Sequence, residues 1–274
     1  MGASWKSAIK LGIFRMNGMK PWTFGYSVYK AGQIRLGFEA GEFDAASLKD
    51  GYGYRVDERV VEYPWFLSRL PDGPGSLLDA GSILNHDFIL DHPRLKSKDI
   101  FISTLAPEAK CFWSRDISYV FEDLRSSCFR DNYFDWVASI STVEHIGLDN
   151  TMLYTSDGTK RESDRGSYLQ AIREFYRVLK PGGTLFLSMP FGKRANHGWF
   201  QVFDGEMVDE TLAPFEGDSV TQLYFKYEAN GWKSATRDEC REAEFFDIHA
   251  KKVYNDLVQA GAGAIVCLEI TKSK

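Results

Sequence analysis

Short apolar segments separated by polar turns recur along the middle and the end of the chain. They lie at 76–81, 99–103, 117–121, 134–139, 184–189 and 264–271. Near-continuous apolar runs are typical of strands that helices cover on both faces, as in parallel sheets. The pattern therefore predicts an α/β fold with a mainly parallel sheet.

The clearest helical pattern lies at 168–179, where apolar residues recur at spacings of three and four. The next residues, Lys180-Pro-Gly-Gly183, are expected to end that helix. A strand, a helix and a further strand then form a right-handed crossover. A second helix is expected within 55–70, although Pro64 should break it or begin a turn.

The flanks of this core lack sustained periodicity. Residues 1–55 are rich in glycine and aromatic residues, and predict an irregular or partly helical extension to a main domain at 56–274. A similar stretch at about 191–244 predicts an insertion after the fifth strand that faces the substrate. A chain of 274 residues with 44% hydrophobic residues can bury one core with both additions.

Charge and cysteine content exclude several classes of function. The net charge of −5 argues against a nucleic-acid partner. The four cysteines are widely spaced without a Cys-x-x-Cys pair, which argues against a zinc or redox motif and fits a reduced, cytoplasmic location. No apolar stretch approaches the roughly 20 residues of a membrane span.

Residues 1–38 nonetheless form a basic and aromatic arm, with six cations and no acid. Two interpretations stay open. The arm packs its aromatic residues on the core and leaves its lysines in water, or it lies on an anionic membrane surface, such as the inner membrane, or on a protein partner.

The first predicted strand ends in Asp79-Ala80-Gly81, where an open α/β sheet binds nucleotides. Gly81 allows the backbone to approach a ligand closely. Ile83 and Asn85 occupy the positions of the later glycines of a full nucleotide loop, so an ordinary turn explains this segment equally well when it is taken alone.

Four segments in order resemble class I (Rossmann-like) S-adenosylmethionine-dependent methyltransferases. They are Leu78-Asp-Ala-Gly-Ser82, Phe121-Glu-Asp-Leu-Arg125, Phe134 to Ser139 with Thr142-Val-Glu-His-Ile-Gly147, and Phe175 to Gly183. The resemblance covers roughly residues 76–190, and its specificity lies in the joint order and spacing. It implies an enzyme with a seven-stranded Rossmann-like sheet, helices on both faces and S-adenosyl-L-methionine as cofactor.

The resemblance also implies which residues hold the cofactor. The loop after the first strand accommodates the methionine part, and the carboxylate of Asp123 accepts a hydrogen bond from the adenine amino group. Where the family usually has a ribose-binding acid, this chain has Thr104, with Glu108 as a further candidate. The cofactor-binding residues assigned in this way are Asp79, Ala80, Gly81, Ser82, Thr104, Asp123, Leu124, Ser141 and Glu144.

Methyl transfer to a hydroxyl benefits from a general base, and histidine titrates near neutral pH. His145, just beyond the fourth strand, is the first catalytic candidate, and His197, just beyond the fifth, is the second. Each could instead shape a loop. His86 and His92 imitate metal-ligand spacing together with nearby aspartates, but such polar pairs usually form a hydrated helix face, so no metal is expected.

The aromatic stretch at 191–244 and the segment Glu62-Tyr-Pro-Trp65 resemble stretches of sequence in bacterial methyltransferases of polysaccharide-assembly clusters. This narrower resemblance implies a saccharide or glycan acceptor. A small-molecule O- or N-methyltransferase and a degenerate methyltransferase fold that only binds ligands are alternatives. A nicotinamide dehydrogenase is not, because Gly81 to His86 lacks the Gly-x-Gly-x-x-Gly sequence.

Overall fold

The computed structural model describes residues 5–39, 43–46 and 48–274. Its helices are α1 Trp5–Met16, α2 Tyr26–Glu39, α3 Arg59–Arg69, α4 Asp87–Leu90, α5 Thr151–Tyr154, α6 Tyr168–Val178, α7 Gly205–Leu212, α8 Arg237–Cys240 and α9 Ile248–Lys251. Its strands are β1 Gly75–Ala80, β2 Lys98–Thr104, β3 Ser118–Phe121, β4 Phe134–Ile140, β5 Leu179–Pro190, β6 Ala195–Asn196, β7 Gln201–Val202, β8 Ser219–Glu228, β9 Gly231–Ala235 and β10 Ala264–Thr271. No helix in the described ranges is long and apolar enough to cross a membrane.

The main sheet has eight strands in the order β3-β2-β1-β4-β5-β10-β8-β9. Neighbouring strands from β3 to β5 are parallel, and β8 pairs with β9 in antiparallel fashion. The predicted α/β fold with a mainly parallel sheet flanked by helices is therefore confirmed, with eight strands instead of seven. Both β8 and β9 fall inside the stretch at 191–244. The first half of β8 is exposed or half-buried and carries polar residues, so β8 lacks the continuous apolar run that marks the predicted strands.

The chain divides into two compact units. One contains Leu70–Gln222 and Val266–Lys274, and the other contains Met1–Arg69 and Leu223–Ile265. Residues 56–69 thus group with the preceding segment in this division, whereas the domain boundary proposed from the sequence falls at residue 55.

In the unit of residues 70–222 and 266–274, a polar tie holds the amino ends of three strands. Asp135 on β4 accepts hydrogen bonds from the Ser76 amide (2.8 Å) on β1 and from Lys180 Nζ (2.8 Å) on β5. Burial opposes ionisation of Asp135, but these hydrogen bonds outweigh it and lower its pKa. These bonds hold the amino ends of β1, β4 and β5 together and so stabilise the strands that carry the loops at the carboxyl ends.

The predicted end of the helix at 168–179 is confirmed, because α6 stops at Val178. The residues Lys180 to Gly183 themselves lie in a strand, since β5 begins at Leu179. Gly182 donates to the Lys272 carbonyl (2.8 Å), and the Lys272 amide donates to the Gly183 carbonyl (2.9 Å). This pairing beyond the end of β10 draws the glycine segment into the sheet.

In the other unit, Pro64 lies inside α3, so the expected break is absent. A proline at this position removes the hydrogen bond to the carbonyl four residues earlier, which belongs to Val60. The Tyr52 hydroxyl donates to that carbonyl instead, at 2.7 Å. The predicted irregular or partly helical extension contains the helices α1 and α2.

Candidate active site

The loops that follow β1 and β4 have unusual backbone conformations. Gly81, Ser82 and Ser141 have φ angles of 122°, 61° and 41°. Non-glycine residues in the left-handed region cost about 1–3 kcal/mol each, and such strain concentrates at functional sites. A Cβ added to Gly81 would lie 2.2 Å from the Thr142 Oγ1 atom, so the two loops are in close contact.

Asp79 is fully buried and shapes the loop after β1. Its two carboxylate oxygens accept hydrogen bonds from the Ile83 amide (3.1 Å) and the Leu84 amide (2.8 Å). Ala80 beside it is also fully buried. Asp79 therefore fixes the backbone conformation of Gly81 and Ser82. It does so in a loop that has Ile83 and Asn85 where a full nucleotide loop has further glycines.

Asn85, at one of those glycine positions, ties this loop to its neighbours. Its Oδ1 accepts from the Tyr119 hydroxyl (2.8 Å) on β3, and its Nδ2 donates to the Lys110 carbonyl (2.9 Å) in the loop after β2. The sequence showed only a missing glycine here. The bonding role of the side chain depends on residues 25 and 34 positions away, which no local pattern reveals.

At the carboxyl end of β2, Thr104 is half-buried and lies in register with Phe121 of β3. The carboxylate of the nearby Glu122 is hydrogen-bonded to other groups of the protein. Its Oε1 accepts from the hydroxyls of Ser103 (2.9 Å) and Ser127 (3.0 Å), and its Oε2 accepts from the amide of residue 128 (2.7 Å). Glu122 thus holds the loop after β3, and Thr104 remains the candidate for ribose.

Asp123 follows β3 and is paired with Arg125. The Arg125 Nε lies 2.9 Å from Asp123 Oδ1 and its Nη2 lies 2.6 Å from Oδ2, while Nη2 also contacts Glu162 at 2.7 Å. Burial opposes ionisation of Asp123, but the Arg125 hydrogen bonds outweigh it and hold its pKa below the usual range. Leu124 beside it is buried. The carboxylate is thus kept ionised, the form that accepts hydrogen bonds.

We expect Asp123→Ala to weaken S-adenosylmethionine binding by about 1–3 kcal/mol, the cost of losing a buried hydrogen bond to the adenine amino group. Calorimetric titration measures this change. Glu162→Ala is the matched control, because it removes the other acid on Arg125 and leaves Asp123 in place. Equal losses in both variants, or none in Asp123→Ala, would show that the adenine lies elsewhere.

Beyond β4, a backbone contact fixes the proton position on His145. The His145 Nδ1 lies 2.9 Å from the Trp199 carbonyl oxygen. Because a carbonyl only accepts hydrogen bonds, Nδ1 carries the proton, and in the neutral ring Nε2 carries the lone pair. The buried carboxylate of Glu144 lies 4.0 Å from Nε2 and would stabilise a proton gained there. Ser141, three residues before Glu144, is also buried.

The two candidate catalytic histidines contact the same aromatic ring. His197 stacks on Phe200 with ring centroids 4.4 Å apart and planes at 1°, and His145 lies 6.1 Å from that ring. His145 also stacks on Trp199 at 5.0 Å. The connection between β6 and β7 supplies His197, Trp199 and Phe200, so this short hairpin brings the residues after β5 to those after β4.

The residues present fit a sulfonium nucleoside. The Ser82 Oγ is buried without a hydrogen-bond partner among the described residues, so a polar ligand group at the β1 loop would satisfy it. Leu105, the residue after β2, is 54% exposed, which suits the face of an adenine ring. A ligand along this edge would thus meet polar groups at β1 and an apolar surface at β2.

The aspartates near His86 and His92 are engaged with cations. Arg115 lies 3.0 Å from both Asp87 and Asp91. Across residues 5–39, 43–46 and 48–274, no group of three or more potential ligands is placed to hold a metal ion.

Residues 101–187 match the family model of a methyltransferase domain. The chain therefore contains a methyltransferase domain. The matched segment runs from β2 into β5 and includes Thr104, Asp123 and His145, so the resemblance to class I methyltransferases is confirmed at this level. No curated protein matches the methyltransferase.

Several solved structures are similar to this chain at low sequence identity. The [4+2]-cyclase SpnF is 17% identical with a TM-score of 0.51, over 90% of this chain and 95% of that one. A Burkholderia thailandensis 1,6-didemethyltoxoflavin-N1-methyltransferase with bound S-adenosylhomocysteine is 11% identical with a TM-score of 0.47, over 100% and 92%. A SAM-dependent methyltransferase from Archaeoglobus fulgidus is 12% identical with a TM-score of 0.48, over 79% and 96%.

Proposed function

We propose that this methyltransferase O-methylates a hydroxyl of a saccharide or glycan in the cytoplasm. The observation that carries the proposal is the contact between His145 Nδ1 and the Trp199 carbonyl, because it leaves Nε2 as the basic nitrogen. A hydroxyl acceptor loses a proton during methylation, and a positioned base accelerates that step.

When bound, S-adenosylmethionine would supply an activated methyl group for the acceptor oxygen and would leave as S-adenosylhomocysteine. His145 Nε2 receives the hydroxyl proton, and Glu144 stabilises the imidazolium through its buried carboxylate. Positioning of the acceptor supplies the rest of the acceleration. His197 has a supporting place in this scheme, because its ring and that of His145 both contact Phe200.

For the cofactor, we propose contacts along the carboxyl edge of the sheet. The backbone of Asp79 to Ser82 and of Ser141 lies beside the methionine part, Thr104 binds the ribose, and Asp123 with Leu124 binds the adenine. The support is the strained backbone at Ser82 and Ser141 and the buried Ser82 hydroxyl.

A saccharide acceptor is favoured by the aromatic surface next to the base. The ring of Trp199 is half-exposed and stacks on His145. Flat apolar faces of sugar rings pack on such side chains while their hydroxyls reach polar groups. The similarity of Glu62-Tyr-Pro-Trp65 and of the stretch at 191–244 to methyltransferases of polysaccharide-assembly clusters points the same way.

The test is incubation of the protein with methyl-labelled cofactor and a panel of saccharides, nucleotide sugars, phenols and amines, followed by mass spectrometry. We expect label on a saccharide oxygen. Label on a phenol or an amine alone would favour a small-molecule O- or N-methyltransferase. Cofactor binding by calorimetry without transfer to any acceptor in the panel would favour a ligand-binding module.

A further inference from the structure

The helix α1 exposes an apolar stripe that belongs to no core. Trp5, Ile9, Ile13 and Met16 are 70%, 51%, 37% and 85% exposed. At about 100° per residue these four side chains fall within an arc of about 80° on one side of the helix. A single surface hydrophobic residue needs no explanation, but an aligned row of four is typical of an interaction surface.

The opposite side of α1 fixes the helix to its own unit. Phe14 is fully buried and lies 6.1 Å from the ring of Tyr26 and 5.2 Å from that of Tyr29, both on α2. Leu11 packs against the same cluster. The helix is therefore held by one face while its apolar stripe is presented outward.

Cations border the stripe on both sides. On the helical wheel Lys6 and Lys10 follow one edge, and Arg15 lies beyond the other. The Lys6 Nζ lies 5.9 Å from the ring of Trp5, and the Lys10 Nζ lies 5.9 Å from the ring of Phe24, which is 57% exposed. The first acid of the chain is Glu39, although the whole protein has a net charge of −5.

A groove of about 360 Å³ lies between α1 and α2, on the side of α1 that faces α2. Leu11 and Leu36 line it together with Arg15, Arg35 and Glu39. Apolar side chains beside guanidinium groups suit the acyl and phosphate parts of an anionic lipid.

We propose that the outward face of α1 lies on an anionic lipid bilayer, with Trp5, Ile9, Ile13 and Met16 in the boundary between headgroups and acyl chains. An interfacial helix combines an apolar stripe with flanking lysines or arginines in this way. A protein partner is less well matched, because protein interfaces are depleted of lysine.

The test is co-sedimentation of the full chain with vesicles of phosphatidylcholine and phosphatidylglycerol, with pure phosphatidylcholine vesicles for comparison. We expect binding to the anionic vesicles that weakens as salt is raised. The double variant Ile9→Glu with Ile13→Glu should lower the partition coefficient by about tenfold or more. Lys6→Gln with Lys10→Gln should lower it by about 25-fold, at about fivefold for each lysine.

The matched control is Leu153→Glu, which changes a residue that is 63% exposed on α5 and should bind vesicles like the unmodified protein. Thermal melting and cofactor titration establish that each variant is folded. Absence of binding to anionic vesicles, or equal binding by the Ile9 and Ile13 variant, would overturn the proposal. A dimer that depends on Ile9 and Ile13, without vesicle binding, would assign the face to a second copy of the chain. Vesicle binding requires no methyl transfer, so this test is independent of the proposed acceptor.

Discussion

Replacing His145 with alanine is expected to lower kcat for methyl transfer by about 10²–10⁴-fold, the usual contribution of a general base. The Kd for S-adenosylmethionine should stay the same, because the proposed cofactor contacts lie in other residues. The physical reason is the proton on Nδ1, which the Trp199 carbonyl fixes, so that Nε2 is the atom that accepts the hydroxyl proton. Single-turnover rates and calorimetric titration of the same variant measure the two quantities.

His249→Ala is the control for loss of an imidazole, since His249 is exposed on α9 in the other unit. Its kcat should match that of the unmodified protein. Added imidazole should restore part of the activity of His145→Ala, which a purely structural role would not allow. A raised KM with unchanged kcat would show that His145 binds the acceptor instead of taking its proton. The same measurements on His197→Ala decide between the two histidines.

We expect Gly81→Ala to lower the free energy of unfolding by about 3 kcal/mol and to weaken cofactor binding at least tenfold, about 1.4 kcal/mol or more. Gly81 has a φ of 122°, which side chains of L-residues rarely allow. The new Cβ would also lie 2.2 Å from Thr142 Oγ1, so the loops after β1 and β4 must separate. Chemical denaturation and cofactor titration measure the two effects.

Gly12→Ala on α1 is the matched control, because a Cβ there meets no atom within 4 Å. Alanine is the better helix former, so this variant should gain up to about 1 kcal/mol, the opposite sign. Adding Thr142→Gly to Gly81→Ala should recover part of the lost stability by removing the clash. Normal stability and affinity in Gly81→Ala alone would mean that the two loops do not form the cofactor site together.

The strands that the sequence predicted are those whose apolar runs are continuous. β1, β2, β4 and β10 are of this kind, because most of their residues are buried and burial favours apolar side chains. β8 was missed since the polar residues of its exposed or half-buried first half shorten its apolar run, and its aromatic residues were attributed to a substrate-facing insertion. A local sequence pattern reflects which residues are buried. A strand that is only partly buried therefore has a weaker apolar pattern.

Helix α3 shows the limit of local rules in a different way. Pro64 should end a helix, because it removes a hydrogen bond to Val60. The Tyr52 hydroxyl supplies the missing donor, so the helix continues to Arg69. A residue 8 positions before Val60 decides the outcome, and helix periodicity carries no information about it.

By itself the sequence determined the α/β class, the order of the strands that carry the loops, and the residue types at their ends, because buried strands require apolar runs and turns require glycine or proline. Only the tertiary structure decided how those residues are used. It placed Asp79 on the amides of its own loop, committed Glu122 to Ser103 and Ser127, and joined His145 to the Trp199 carbonyl 54 residues away. These roles depend on hydrogen bonds between atoms that only folding brings together. A local sequence pattern therefore does not predict them.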